Sequence, residues 1–95
     1  MIRHTVAFKL KHESGSTEEQ SFLEKVSKLS NFPTVQKFEC LKEIGKKNNF
    51  DFGVSMEFQD MESYKAYNIH PDHVDFVNKI WIPEVVEFIE IDFEF

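Results

Sequence analysis

A chain of 95 residues has room for one hydrophobic core, and a content of 41% hydrophobic and 29% charged residues with three Gly and three Pro excludes disordered, collagen-like and membrane-spanning classes. A formal charge of -6 repels phosphate backbones and anionic lipid surfaces, and no run reaches the roughly 20 apolar residues of a membrane span, so the expectation is one cytoplasmic domain over residues 1–95 that binds neither nucleic acid nor membrane. The single Cys40 excludes an internal disulfide.

From Ile2 to Leu10 the apolar residues Ile2, Val6, Phe8 and Leu10 alternate with Arg3, Thr5 and Lys9, the period-2 pattern of a strand with one buried face. His4 falls on the apolar side. A polar connection follows, and Ser16-x-x-Glu19 and Thr17-x-x-Gln20 offer two overlapping capping boxes that open a helix. Phe22, Val26 and Leu29, with Leu23 beside them, form its apolar stripe; Asn31 and Pro33 end it.

Val35 to Ile44 has the composition of a second strand in which Leu41 breaks the alternation of Phe38 and Cys40, as a bulge would. Gly45 to Asn49 is turn chemistry, and Phe52, Val54, Met56 and Phe58 then alternate with Gly53, Ser55, Glu57 and Gln59 as a third strand. Asp60 caps a helix from Met61 to about Asn68. Pro71 pushes His70 toward extended geometry and opens a new helix, for which Val74, Val77 and Trp81 supply the apolar stripe and Pro83 the end. Ile89, Ile91, Phe93 and Phe95 alternate with Glu90, Asp92 and Glu94 in a closing strand.

The order β-α-β-β-α-β predicts an α+β, ferredoxin-like sandwich: a four-stranded antiparallel sheet with the helices on one face. If the apolar parity of every strand faces the helices, the opposite face carries Arg3, Thr5, Lys9, Gly53, Ser55, Glu57, Glu90, Asp92 and Glu94. That face is expected to be polar, and any self-association through it to be salt-sensitive.

Tyr67-Asn68-Ile69-His70-Pro71-Asp72-His73 puts a phenol and two imidazoles around an enforced helix break. His73 is the third residue of the new helix, whose N-terminal N–H groups disfavour a nearby cation, so a neutral imidazole is expected. A neutral His73 can take a proton while Tyr67 donates a hydrogen bond to a carbonyl or enolate oxygen, and His4, on the same side of the sheet, is placed to hold His73 in one tautomer. By spacing alone the plainer reading is a satisfied core His4 and a capping or surface His73.

Other chemistries find little footing. The strand Phe52-Gly53-Val54 lacks the basic residue and second aromatic of an RNA-binding sheet, and Pro71 breaks the register that would let His70 and His73 share a metal with Asp72 and Asp75. Glycine-rich phosphate loops, nucleophile elbows and paired cysteines are absent, so neither a cofactor nor a resident metal is expected.

The opening Ile2-Arg3-His4-Thr5-Val6-Ala7-Phe8-Lys9-Leu10-Lys11, the run Phe58 to Tyr67, the His70-Pro71-Asp72-His73-Val74 core and the closing Ile89-Glu90-Ile91-Asp92-Phe93 resemble the stress-responsive A/B barrel (Dabb) family. The resemblance implies a protomer whose sheet packs on that of a second copy as a dimeric α+β barrel, with a small-molecule pocket between sheet and helices. It implies catalytic positions at His73 and Tyr67, with His4 as the strand histidine, because a plant polyketide cyclase of the family closes a ring by aldol-type chemistry with a His and a Tyr. Phe52 stands where that cyclase has a further pocket His.

Two functions use the same pocket: non-catalytic small-molecule binding in a stress-related role, and cofactor-independent cyclase, isomerase or lyase chemistry on a polyketide-like carbonyl compound. With no substrate in view, binding without turnover is the preferred expectation. A solvent-reachable cavity onto which His73 and Tyr67 converge would favour catalysis; a filled core there would favour the other.

Overall fold

The computed structural model describes residues 1–95. Its elements are β1 (Ile2–Leu10), α1 (Thr17–Ser27), β2 (Gln36–Lys42), β3 (Phe52–Phe58), α2 (Met61–Ile69), α3 (Pro71–Phe76) and β4 (Val85–Glu94), in a four-stranded sheet of order β2-β3-β1-β4. Every neighbouring pair is antiparallel, and the helices cover one face. This is the ferredoxin-like α+β arrangement expected from the order of elements.

Local chemistry sets the helix starts. The Ser16 hydroxyl accepts the Glu19 N–H at 3.1 Å, so the Ser16 half of the first capping box forms; the Glu19 carboxylate takes the Gly15 N–H, one residue ahead of the cap, at 3.1 Å, and Thr17 instead bonds the Glu18 side chain. Phe22, Val26 and Leu29 are buried, and the chain tightens into a 3-10 turn at Lys28–Asn31 before Pro33. Asp60 accepts the Ser63 N–H at 2.8 Å and caps α2. The core joins Ile2, Val6, Phe8 and Leu10 of β1 and Val54, Met56 and Phe58 of β3 to Phe22, Val26, Tyr64 and Tyr67 of the helices.

Three expectations are corrected. The bulge in β2 lies between Gln36 and Glu39, where Lys37 takes a positive φ of 48°, so Leu41 opposite Gly53 belongs to the face without helices. Pro83 does not end the last helix: α3 continues through a π-helical turn at Val77–Trp81 and a final turn at Ile82–Glu84. The wide turn sends the Ile82 N–H back to the Val77 carbonyl and opens the helix just ahead of the residue that has no N–H to give.

The third correction concerns β4. Residues directly opposite on neighbouring antiparallel strands share a face, and β4 pairs Phe88 with Phe8, Glu90 with Val6 and Asp92 with His4. The acidic residues of β4 therefore look toward the helices, while Ile89, Ile91 and Phe93, opposite Ala7, Thr5 and Arg3, lie on the open face with 44% to 53% of their surface exposed. β4 is an edge strand, and its helix-side residues border a cavity instead of packed core, so carboxylates remain solvated there. The open face is thus apolar along β4 and polar along β1 and β3, where Arg3 pairs with Glu57 at 2.8 Å.

Candidate functional site

Pro71 is the residue from which the site is built. It ends α2 and holds His70 extended at φ -59° and ψ 131°, and the His70 Nδ1 then accepts the Asp72 N–H at 3.1 Å. In an unbroken helix that N–H would serve the Asn68 carbonyl. The Asn68 carbonyl accepts instead from the His73 Nδ1, 3.2 Å away, which puts the imidazole proton on Nδ1 and leaves Nε2 as an unprotonated acceptor with no partner in the chain.

Burial lowers the His73 pKa below its ordinary value, partly offset by the Asn68 carbonyl and reinforced by His4 and His70. The expected direction holds, but its main cause is desolvation where the helix terminus was expected to act. The expected bond from His4 to His73 is not made.

Tyr64 and Tyr67 sit three residues apart on the buried side of α2. Tyr67 packs between Phe58 and Phe32, with ring centroids 5.1 and 5.2 Å away, and its ring centroid is 4.3 Å from that of His73. Although Tyr67 is 2% exposed, its hydroxyl hydrogen-bonds no group of the protein. Burial, with the Glu90 carboxylate second, pushes its pKa above the ordinary phenol range, so it is a neutral donor.

His4 occupies a second cluster. Its Nδ1 lies 2.6 Å from an Asp92 oxygen and 3.0 Å from the Tyr64 hydroxyl, which itself donates to the other Asp92 oxygen at 2.8 Å. Nδ1 is thereby committed, and Nε2 is the ring nitrogen left without a protein partner. The His4 Nδ1 and the Glu90 and Asp92 oxygens lie within 4.8 Å of one another, but a cation there would have to displace these hydrogen bonds. His70 and His73 bind different backbone groups and do not converge as ligands.

Both clusters open onto one cavity of about 500 Å³ between the sheet and α2–α3. His4, Tyr67 and His73 are all on its wall, with Glu90, while Val6, Val54, Met56, Trp81 and Phe88 make much of the rest apolar. Sequence reading brought His4, Tyr67 and His73 forward and missed Tyr64, Glu90 and Asp92. The helical spacing of Tyr64 to Tyr67 was a usable signal; for Glu90 and Asp92 only the pairing register of β4 reveals the facing.

The stress responsive A/B barrel (Dabb) domain model matches residues 2–95. The chain belongs to the Dabb family. A Dabb family protein with a ferredoxin-like fold from Mesorhizobium loti is 52% identical, over 98% of this chain and 94% of that one, with a TM-score of 0.96. A dimeric ferredoxin-like protein of unknown function from Thermobifida fusca is 23% identical, over 99% and 90%, with a TM-score of 0.80. A hydroxynitrile lyase from Passiflora edulis shares the fold at 13% identity, over 97% and 90%, with a TM-score of 0.85. Among curated proteins no sequence matches. No helix of this Dabb protein is long and apolar enough to cross a membrane.

Proposed function

We propose that this Dabb protein binds a small carbonyl compound between sheet and helices and acts on it by cofactor-independent acid–base chemistry, as a cyclase, isomerase or lyase. The supporting observation is the adjacency of two unsatisfied groups at the wall of an open cavity: an imidazole held with its Nε2 free and a buried neutral phenol with no partner. His73 removes a proton next to the carbonyl, Tyr67 donates to the oxygen on which charge develops, and His4, held by Asp92 and Tyr64, fixes a second contact. Catalysis requires both a reachable cavity and convergence of His73 and Tyr67 within hydrogen-bond reach of one ligand atom; the cavity and the 4.3 Å approach of the two rings support that reading and move the preference toward turnover.

The test is hydrogen–deuterium exchange at the α-carbon of a panel of aryl and alkyl ketones in D2O, followed by NMR with wild type, His73→Gln and Tyr67→Phe. Exchange above the solvent rate that falls in both variants is expected. Exchange equal in all three proteins and in buffer overturns the catalytic reading; a ketone that still raises Tm without exchanging leaves binding without turnover as the function.

The protein also acts as a homodimer through its open sheet face. Ile89, Ile91 and Phe93 form a half-exposed apolar strip there, and structural neighbours are described as dimeric. Each is already about half covered, so complete burial in a dimer would add about 0.7–1.5 kcal/mol per side chain.

A further inference from the structure

The polar end of the cavity is negative whatever the protonation of its strand histidine. The His4 Nδ1 lies 2.6 Å from the Asp92 carboxylate and 3.8 Å from that of Glu90. Two carboxylates face one imidazole, so a cationic His4 leaves one net negative charge and a neutral His4 leaves two. No Lys or Arg lines this cavity; Lys25, Lys28 and Lys79 border a neighbouring groove, and Lys79 pairs there with Asp75 at 2.9 Å.

Of the two carboxylates, Asp92 is engaged closely by His4 and Tyr64, whereas Glu90 has a long 3.5 Å contact from the Tyr64 hydroxyl, stands 3.8 Å from the His4 Nδ1 and keeps 48% of its side chain exposed. Glu90 is therefore the charge left for a ligand to meet. Its field reaches both Tyr67 and His73, the pair assigned to the reacting carbonyl.

We infer that Glu90 sets the charge selectivity of the cavity, admitting uncharged ketones, aldehydes or lactones and rejecting carboxylates, phosphates and sulfates of the same shape. This rests on the reading of the cavity as a carbonyl pocket. A fixed carboxylate at the wall of a largely apolar cavity repels an incoming anion, and no Lys or Arg lines the cavity to compensate.

The experiment compares 2-acetylnaphthalene with 2-naphthoate, which share a ring system and differ by a methyl group against an ionised oxygen. The single tryptophan, Trp81, is part of the cavity wall, so its indole N–H resonance reports occupancy. Wild type is expected to bind the ketone at least about tenfold more tightly, and Glu90→Gln to bring the two within about threefold. Naphthoate binding as tightly as the ketone in wild type, or an unchanged ratio in Glu90→Gln, overturns the selectivity while leaving the pocket. If neither probe moves the Trp81 resonance, the carbonyl pocket itself falls, and the selectivity with it.

Discussion

The Asn68 carbonyl and the His73 imidazole, 3.2 Å apart, connect a break in the backbone to the protonation state of a side chain. Pro71 takes the next helical donors away, and the imidazole that follows supplies the missing one. The consequence for titration is direct. His73 should titrate below its ordinary value of 6.5 and carry its neutral proton on Nδ1. A 1H–15N titration showing His73 cationic at pH 7, or protonated on Nε2 when neutral, would remove it as a base.

The same shift makes stability depend on pH. Because the folded-state pKa lies below the unfolded value, the unfolded chain binds more protons in the interval between them, and stability rises with pH there. The contribution is complete above about 6.5 and is lost as pH falls through the lower, folded value. Urea midpoints of wild type should decline across that window more steeply than those of His73→Gln; parallel curves would contradict the depressed pKa.

The two tyrosines of α2 should respond differently to loss of their hydroxyls. Tyr64→Phe removes the donor to Asp92 and should cost about 1–2 kcal/mol, since a hydrogen bond to a carboxylate disappears and an acceptor is left behind. Tyr67→Phe removes a hydroxyl with no partner in the chain and should change stability by no more than about 0.5 kcal/mol. Chemical denaturation of both variants decides it; equal losses would mean that the Tyr67 hydroxyl serves the fold.

Much of this fold is legible in the sequence, for physical reasons that differ by element. β1 and β3 alternate cleanly because one side of each meets packed core, and the breaks at Asp60 and Pro71 are dictated by backbone donors that single residues accept or lack. β4 alternates as clearly, yet its facing is not legible: a strand between a cavity and an uncovered sheet face offers both sides reason to be apolar or polar. Assigning Ile89, Ile91 and Phe93 to the helices by analogy with β1 also hid Asp92, the partner of His4. Pro83 misled for another reason, since a widened turn accommodates a proline that a regular helix would not.

Asp92→Ala should destabilise the protein by about 1.5–3 kcal/mol, because it strips the buried His4 of its carboxylate and leaves the Tyr64 hydroxyl without its closest acceptor. Asp92→Asn keeps the shape and should lose less. Thermal denaturation measures both, and an Ala variant as stable as wild type would show that the cluster is not coupled to folding.

The open face makes a prediction opposite to the polar, salt-sensitive association first expected. A dimer built on Ile89, Ile91 and Phe93 should persist at 1 M NaCl, where surface ion pairs are screened within about 3 Å, and should dissociate on Ile91→Asp. Sedimentation velocity across salt and concentration tests it. Dissociation by salt, or a variant as dimeric as wild type, would place the interface elsewhere.

The irregularity between Lys9 and Leu10, where the β1–β4 register shifts and Val86 becomes the odd residue out, fixes which way every later side chain of β4 turns. Removing Val86 would only join Val85 and Glu87 into a regular ladder opposite Leu10 and Lys9, whereas one residue added beyond Phe88 without a second bulge would roll the rest of the strand over, turning isoleucines toward the cavity and carboxylates outward. This strand thus tolerates shortening at its irregularity better than lengthening past it.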